Sequence, residues 1–196
     1  METHDIETIA VATQSLAFFV DLSPFSAELQ LAREGVDDLR QLPCENVKLN
    51  VGAQFMSPWD SPKRTPKFYP LLQIVLQKIY AVCKTHFRSD LPSLNFKLRA
   101  FQCWCAVYEE GDATTFHNHF PCDFSSIVYL HMDQEAAPIV LENRVEVHLK
   151  TGSLLFFQGH VNHHVPTTVG RRLVLVANFY KLPVSVPMYQ DPFLKE

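Results

Sequence analysis

The sequence predicts a mainly β fold, a sandwich or barrel of short strands carried on one face by two helices. Three observations predict it. From residue 93 onward, apolar segments of strand length follow one another at short intervals, with turn formers between them. Before that point, two long segments show helical rather than alternating spacing. The chain has 196 residues and is 47% hydrophobic, which suits one domain with a substantial core.

In chain order, "SLAFFVDL" (15–22) reads as a first strand and "SPFSAELQLAREGVDDLRQL" (23–42) as a helix. Ser23 is placed to cap that helix and Pro24 fits its first position. Residues 43–67 are rich in turn formers and read as a long loop with short extended pieces. The segment 68–87 is the strongest helix, because Leu71, Leu72, Val75, Ile79 and Val82 recur at helical spacing. That stripe is core.

Beyond it, "LNFKLRAFQCWCAVY" alternates, with Phe96, Leu98, Phe101 and Trp104 set among polar residues. Then come "SSIVYLHM", "PIVLEN", "VEVHL", "GSLLFFQG", "NHHVPTT" and "RRLVLVANFYKL". The tail "LPVSVPMYQDPFLKE" holds three prolines and cannot continue a central strand. It reads as an ordered arm on the surface; the alternative is an arm that closes over a site or grips a second subunit in a homodimer. The division is a single domain over 1–196, with a lead-in at 1–92, a β core at 93–182 and the arm at 183–196.

Charge narrows the function classes. The formal net charge is −4, and the one basic cluster, "PKRTPK", reads as a solvated loop, so nucleic acid is not an expected partner. No apolar run approaches the ~18 residues of a membrane span. The acidic start does not match a signal peptide, and five cysteines without a framework suit free thiols in a reducing compartment. The expected location is cytoplasmic.

The chemistry lies in the histidines. "TTFHNHFP" carries His117 and His119 two apart, and in a strand such residues point to one face. "GHVNHHVP" follows with His160, His163 and His164. Imidazole nitrogen suits iron, zinc, copper and nickel, and three ligands leave room for substrate and oxygen. Gly111, six residues before His117, supplies a tight turn, and Gly152 opens the strand that leads to the second cluster. An arginine from "RRLVLVANFY" projecting into an apolar barrel needs an anionic partner, and a carboxylate fits its fork.

Taken in order, Trp104, Tyr108, Gly111, "FHNHFPCDFSSIVYL", "GSLLFFQGHVNHHVP" and "RRLVLVANF" resemble the double-stranded β-helix of Fe(II)/2-oxoglutarate-dependent oxygenases. The pattern is most similar to the small phage- and bacterial-type branch with a His-x-His first motif, over about residues 100–180. The resemblance implies a jelly-roll, cupin-like barrel with flanking helices. It implies Fe(II) on His117, His119 and His163, and 2-oxoglutarate with its far carboxylate on Arg172. Tyr108, Tyr129 and Asn178 match positions around the cosubstrate. It further implies O2 as oxidant and hydroxylation of a small molecule or a protein side chain.

Three departures stand out. Most of the superfamily has Asp or Glu where this chain has His119. The step from His163 to Arg172 is short, so Arg171 is a rival anchor. Val174 stands where a serine is common.

Other residues compete for these roles. Alternation puts His163 and Val165 on one face and His164 on the other, while His160 falls in a turn. Asp123 lies too far along the chain for same-face ligation with His117. Cys103 and Cys105 share a face and read as buried thiols; Trp104 reads as core; His4, His86, His131 and His148 have no evident partner. A cupin-type three-histidine metalloenzyme resembling the thiol dioxygenases also fits "GDATTFHNH", and a non-enzymatic β-barrel binding protein is the third reading. Arg172 is what separates the first from the second.

Overall fold

The computed structural model describes residues 6–12, 15–43 and 50–185. A hairpin of β1 (Ile6–Ala12) and β2 (Ser15–Asp21) leads through a 3-10 turn at Ser23–Phe25 into helix α1 (Ser26–Arg40). Short strands β3 (Val51–Gly52) and β4 (Phe55–Met56), a one-turn helix α2 (Ser61–Arg64) and a turn at Pro66–Phe68 precede helix α3 (Tyr69–Thr85). Eight strands follow: β5 (Phe96–Tyr108), β6 (Ala113–His117), β7 (Phe124–Met132), β8 (Ile139–Leu141), β9 (Val145–Val147), β10 (Ser153–Gln158), β11 (His163–Val165) and β12 (Arg172–Pro183).

They form two facing antiparallel sheets. The larger runs β1-β2-β10-β7-β12-β5-β4 and the smaller β3-β6-β11-β8-β9. This is the expected jelly roll. The large sheet is buried on both sides, which is why its strands read as nearly continuous apolar runs. Along β12, Leu173, Leu175, Ala177 and Phe179 meet the helices, where Phe18, Phe156, Val75 and Ile79 complete one core. Val174 and Val176 point the other way, into a second core between the sheets with Trp104, Tyr108, Tyr129 and Phe157. The α3 stripe Leu71, Leu72, Val75, Ile79 and Val82 is buried as expected. At roughly 25 cal/mol per Å² of apolar area, such burial is the main force holding the helices to the sheet.

The structure departs from the sequence reading in four places. β1, in the segment "IETIAVA", was not expected as a strand; it is an edge strand of which only Val11 is buried. Ser23 is not a cap. The Asp21 carboxylate accepts the Ser23 N–H at 2.8 Å, and the α-helix proper starts at Ser26. Phe101 breaks the alternation of β5: Asn178 pairs with Gln102 and Phe179 with Ala100, so Phe101 is the extra residue of a bulge and is 47% exposed. Finally, β6 ends at His117, so His119 lies beyond the strand. Residues 44–49 of the expected loop and 186–196 of the expected arm are outside the described residues. Among the described residues, no helix is long and apolar enough to cross a membrane.

Candidate metal centre and its two pockets

Register brings the histidines together. β11 pairs with β6 so that His163 stands opposite His117. The turn after β6 then carries His119 back to the same point. Its backbone N–H donates to the Gly159 carbonyl at 2.8 Å, and its carbonyl accepts the Cys122 N–H at 3.0 Å. Gly159 is required there, because a Cβ would collide with the carbonyl and sulfur of Cys122. Gly111, at φ +90°, makes the β5–β6 turn that aims β6.

The three imidazoles present ligand nitrogens that all lie within 4.8 Å of one another. His117 Nδ1–H donates to the Thr115 carbonyl at 2.8 Å and His163 Nδ1–H to the Val161 carbonyl at 3.2 Å. Each bond fixes the tautomer and leaves Nε2 with a free lone pair, as in metal-bound histidines generally. His119 Nδ1 meets the side-chain amide of Asn178 at 3.3 Å, and Asn178 Nδ2 also donates to Gln102 Oε1 at 2.8 Å. Asn178 Oδ1 is buried without a partner.

Burial pushes all three rings toward the neutral form, which is the form that ligates. His119 is driven down to about 3 by burial and then by His117. His163 falls well below the ordinary range for the same reasons, with burial first, and His117 is lowered by burial. The donor set therefore fits a nitrogen-preferring transition metal.

Behind the histidines, an inner pocket lies between the sheets, lined by Trp104, Tyr108, Thr114, Ile139 and Arg172. Arg172 is 1% exposed, and among the described residues no carboxylate pairs with it. Its contacts are the Ala137 carbonyl at 3.3 Å and the Tyr129 hydroxyl at 3.5 Å, while Nε has no partner. The guanidinium lies 4.9 Å from the Tyr108 ring and 5.3 Å from the Tyr129 ring. The Tyr108 hydroxyl is hydrogen-bonded to Thr114 at 2.8 Å. Burial raises both tyrosine pKa values, with Arg172 opposing it, so both phenols are neutral donors. A buried cation with no counter-charge costs several kcal/mol. Arg172 fits an anion that enters this pocket.

In front of the histidines, an outer cleft of about 370 Å³ is walled by Trp59, Trp104, Phe120 and Tyr180. Asn178 lines this cleft rather than the Arg172 pocket. Trp104 belongs to the inner core yet borders both cavities.

The rivals are spoken for. Arg171 is partly exposed, 3.2 Å from Glu109, and its N–H donates to Asp133. His160 is exposed and bonded to Ser15 at 3.1 Å. His164 lies outside the triad, its ring tilted at 57° to that of Phe116 with centroids 6.2 Å apart. Asp123 accepts the Lys181 N–H at 2.7 Å. His131 pairs with Asp133 and His148 with Glu146. Cys103 and Cys105 are buried in the helix-side core; burial raises the Cys103 thiol pKa well above the ordinary value.

Sequence reasoning missed Gly159, the Asn178–His119 contact and the cleft residues Trp59, Gln102 and Phe120. The glycine had a visible signal, its place between the strand "LLFFQ" and the second histidine cluster. The others depend on tertiary contacts with no local pattern.

No family model matches the sequence, and no curated protein does. Solved structures do match. The non-heme alpha-ketoglutarate-dependent epimerase SnoN from nogalamycin biosynthesis superposes with a TM-score of 0.63 at 15% identity, over 89% of this chain and 83% of that one. A Pseudomonas putida prolyl-4-hydroxylase gives 0.58 at 20% identity, over 91% and 93%. A Trichoplax adhaerens prolyl hydroxylase, solved with a hypoxia-inducible-factor peptide fragment, gives 0.60 at 16%, over 83% of each. The chain has the double-stranded β-helix fold of these enzymes.

Proposed function

We propose that the protein is an Fe(II)- and 2-oxoglutarate-dependent oxygenase that hydroxylates a small molecule or a protein side chain. The observation that carries this reading is Arg172, a buried guanidinium without a carboxylate partner among the described residues, in the pocket directly behind an open cluster of three neutral imidazoles. A cupin-type site or a plain binding barrel gives no reason to keep that cation. The likeness to structures that include SnoN in complex with Fe3+ and alpha-ketoglutarate supports the same reading.

His117, His119 and His163 would hold the iron, which supplies oxygen activation coupled to 2-oxoglutarate decarboxylation. The chain's own contributions are separate. Arg172 pairs with the far carboxylate and so sets how deep the cosubstrate lies. Tyr108 walls that site, and Tyr129 backs Arg172 with its hydroxyl 3.5 Å from the guanidinium; both phenols are neutral and help exclude water. Thr115 and Val161 orient two of the ligand rings through their carbonyls. Asn178 does the same for His119: with its amide and that of Gln102 both turned over, Asn178 Oδ1 accepts from His119 Nδ1–H and from Gln102 Nε2–H, and the third imidazole Nε2 is freed. Asn178 is thus a positioning residue rather than a contact of the cosubstrate. The outer cleft holds the target C–H bond near the metal.

The test is anaerobic reconstitution. Fe(II) followed by 2-oxoglutarate gives a visible charge-transfer band, and admission of O2 gives succinate. No band and no succinate, from protein that is folded and binds the metal, would contradict the proposal.

A further inference from the structure

We infer that the outer cleft takes an uncharged small molecule built around a planar ring and bearing at least one carbonyl or hydroxyl group. The inference takes the cleft as the substrate site of the function just proposed. Three observations carry it. The volume of about 370 Å³ lies within the range of small-molecule sites and is small for a folded partner.

The walls are aromatic where aromatics are costly. Trp59 is 44% exposed and Phe120 76% exposed, and Tyr180 is braced edge-on by the exposed Phe101 at 5.1 Å. Single exposed apolar residues are ordinary, but several gathered at the mouth of one cavity mark a binding surface. Ring faces of this kind stack on other rings.

Charge gives the third. Among the described residues lining the cleft there is no Asp, Glu, Lys or Arg, and the two histidines present are metal-ligand candidates. Apart from the metal, whose charge the bound 2-oxoglutarate offsets, an ionised substrate would lose water there without gaining a counter-charge. Polar contacts come instead from the carboxamides of Asn50, Gln102 and Asn118. With Asn178 Oδ1 facing it, Gln102 spends one N–H on Asn178 and keeps its second N–H and its oxygen for a ligand carbonyl or hydroxyl.

The chain's two tryptophans, Trp59 and Trp104, both line this cleft, so its fluorescence reports on occupancy. The full chain, loaded with Zn(II) and saturated with 2-oxoglutarate so that the metal's charge and open positions are taken up, is titrated with N-benzylacetamide, 3-phenylpropanoate, phenethylammonium and the uncharged peptide acetyl-Gly-Pro-Gly-amide. Binding of the neutral ring compound at least about tenfold tighter than either ion or the peptide is the expected result. Equal or tighter binding of an ion would overturn the inference, and preference for the peptide would replace it with a peptide site. Phe120→Ala, at an exposed position that does not bear on folding, should weaken the neutral probe about tenfold; unchanged affinity would overturn the inference. The Fe(II)/2-oxoglutarate band, read on the same preparation, separates the two claims. A band without selectivity for the neutral ring removes the cleft assignment alone. Selectivity without a band removes the substrate role and leaves only the ligand class.

Discussion

The two faces of the large sheet are built from the same strands and serve opposite ends. On the helix side, β12 places Leu173, Leu175, Ala177 and Phe179 against Phe18, Phe156 and the α3 stripe, in a core of apolar side chains and thiols. On the barrel side, alternate residues of that strand are Arg172, Val174, Val176 and Asn178, and two of these four are polar and buried. One face holds the protein together. The other gives up stability to keep a cation out of water, beside three imidazoles of which only His163 is fully buried. Unsatisfied Arg172 Nε and Asn178 Oδ1 both belong to the second face. Polar groups buried without partners are tolerated where a ligand completes them.

Breaking each face should therefore have opposite signatures. The largest stability loss is expected from Phe156→Ala on the helix side, about 3–5 kcal/mol by urea unfolding, with metal affinity of the folded fraction unchanged. Next, Gly159→Ala forces a Cβ into Cys122 and displaces the clasp that holds His119. It should cost about 1–3 kcal/mol and also weaken metal binding, read by Co(II) absorption. On the barrel side, His163→Leu removes a ligand but no charge. Its stability should stay within about 1.5 kcal/mol of wild type, while metal affinity falls by more than the roughly 10–100-fold that a supporting residue costs. Asn178→Leu should fall inside that 10–100-fold range, which places it in a supporting role.

The smallest effect concerns the rim. Asp133 is held below the usual carboxylate range by the Arg171 N–H and then by His131. A depressed carboxylate stabilises the fold above its unfolded pKa, and the gain is lost as pH falls through its folded value. Asp133→Asn should therefore differ slightly from wild type at neutral pH and converge with it in acid, by thermal melting across pH.

What was legible in the sequence follows the same division. The helix-side core was readable because Leu71, Val75 and Ile79 repeat with the helical period, and burial on one side of a helix leaves that trace. The candidate metal ligands were readable because residue type and spacing are both restrictive, and Arg172 because a charge amid "LVLVANF" needs a reason. β1 was not readable, since an exposed edge strand imposes no alternation. Phe101 was misread because a bulge shifts the pattern by one residue without changing composition. His119 reached the site by a route different from the expected strand, and only the Gly159 contact explains how. Asn178 matched a cosubstrate position in the resemblance, yet its neighbours are His119 and Gln102, a pairing set by the register of β12 on β5 rather than by any local motif.

Arg172 joins the two halves of the account, being both the chief burden on stability and the proposed anchor of the cosubstrate. The decisive measurement compares wild type, Arg172→Leu and Arg171→Leu for 2-oxoglutarate affinity with Fe(II) bound under argon, and for melting temperature without ligands. Arg172→Leu should lose at least about 30-fold in affinity, the cost of removing one partner of a buried charge pair, and should melt higher than wild type once the unpaired cation is gone. Arg171→Leu should bind 2-oxoglutarate as wild type does. Wild-type affinity in Arg172→Leu, or the loss appearing in Arg171→Leu instead, would contradict the account.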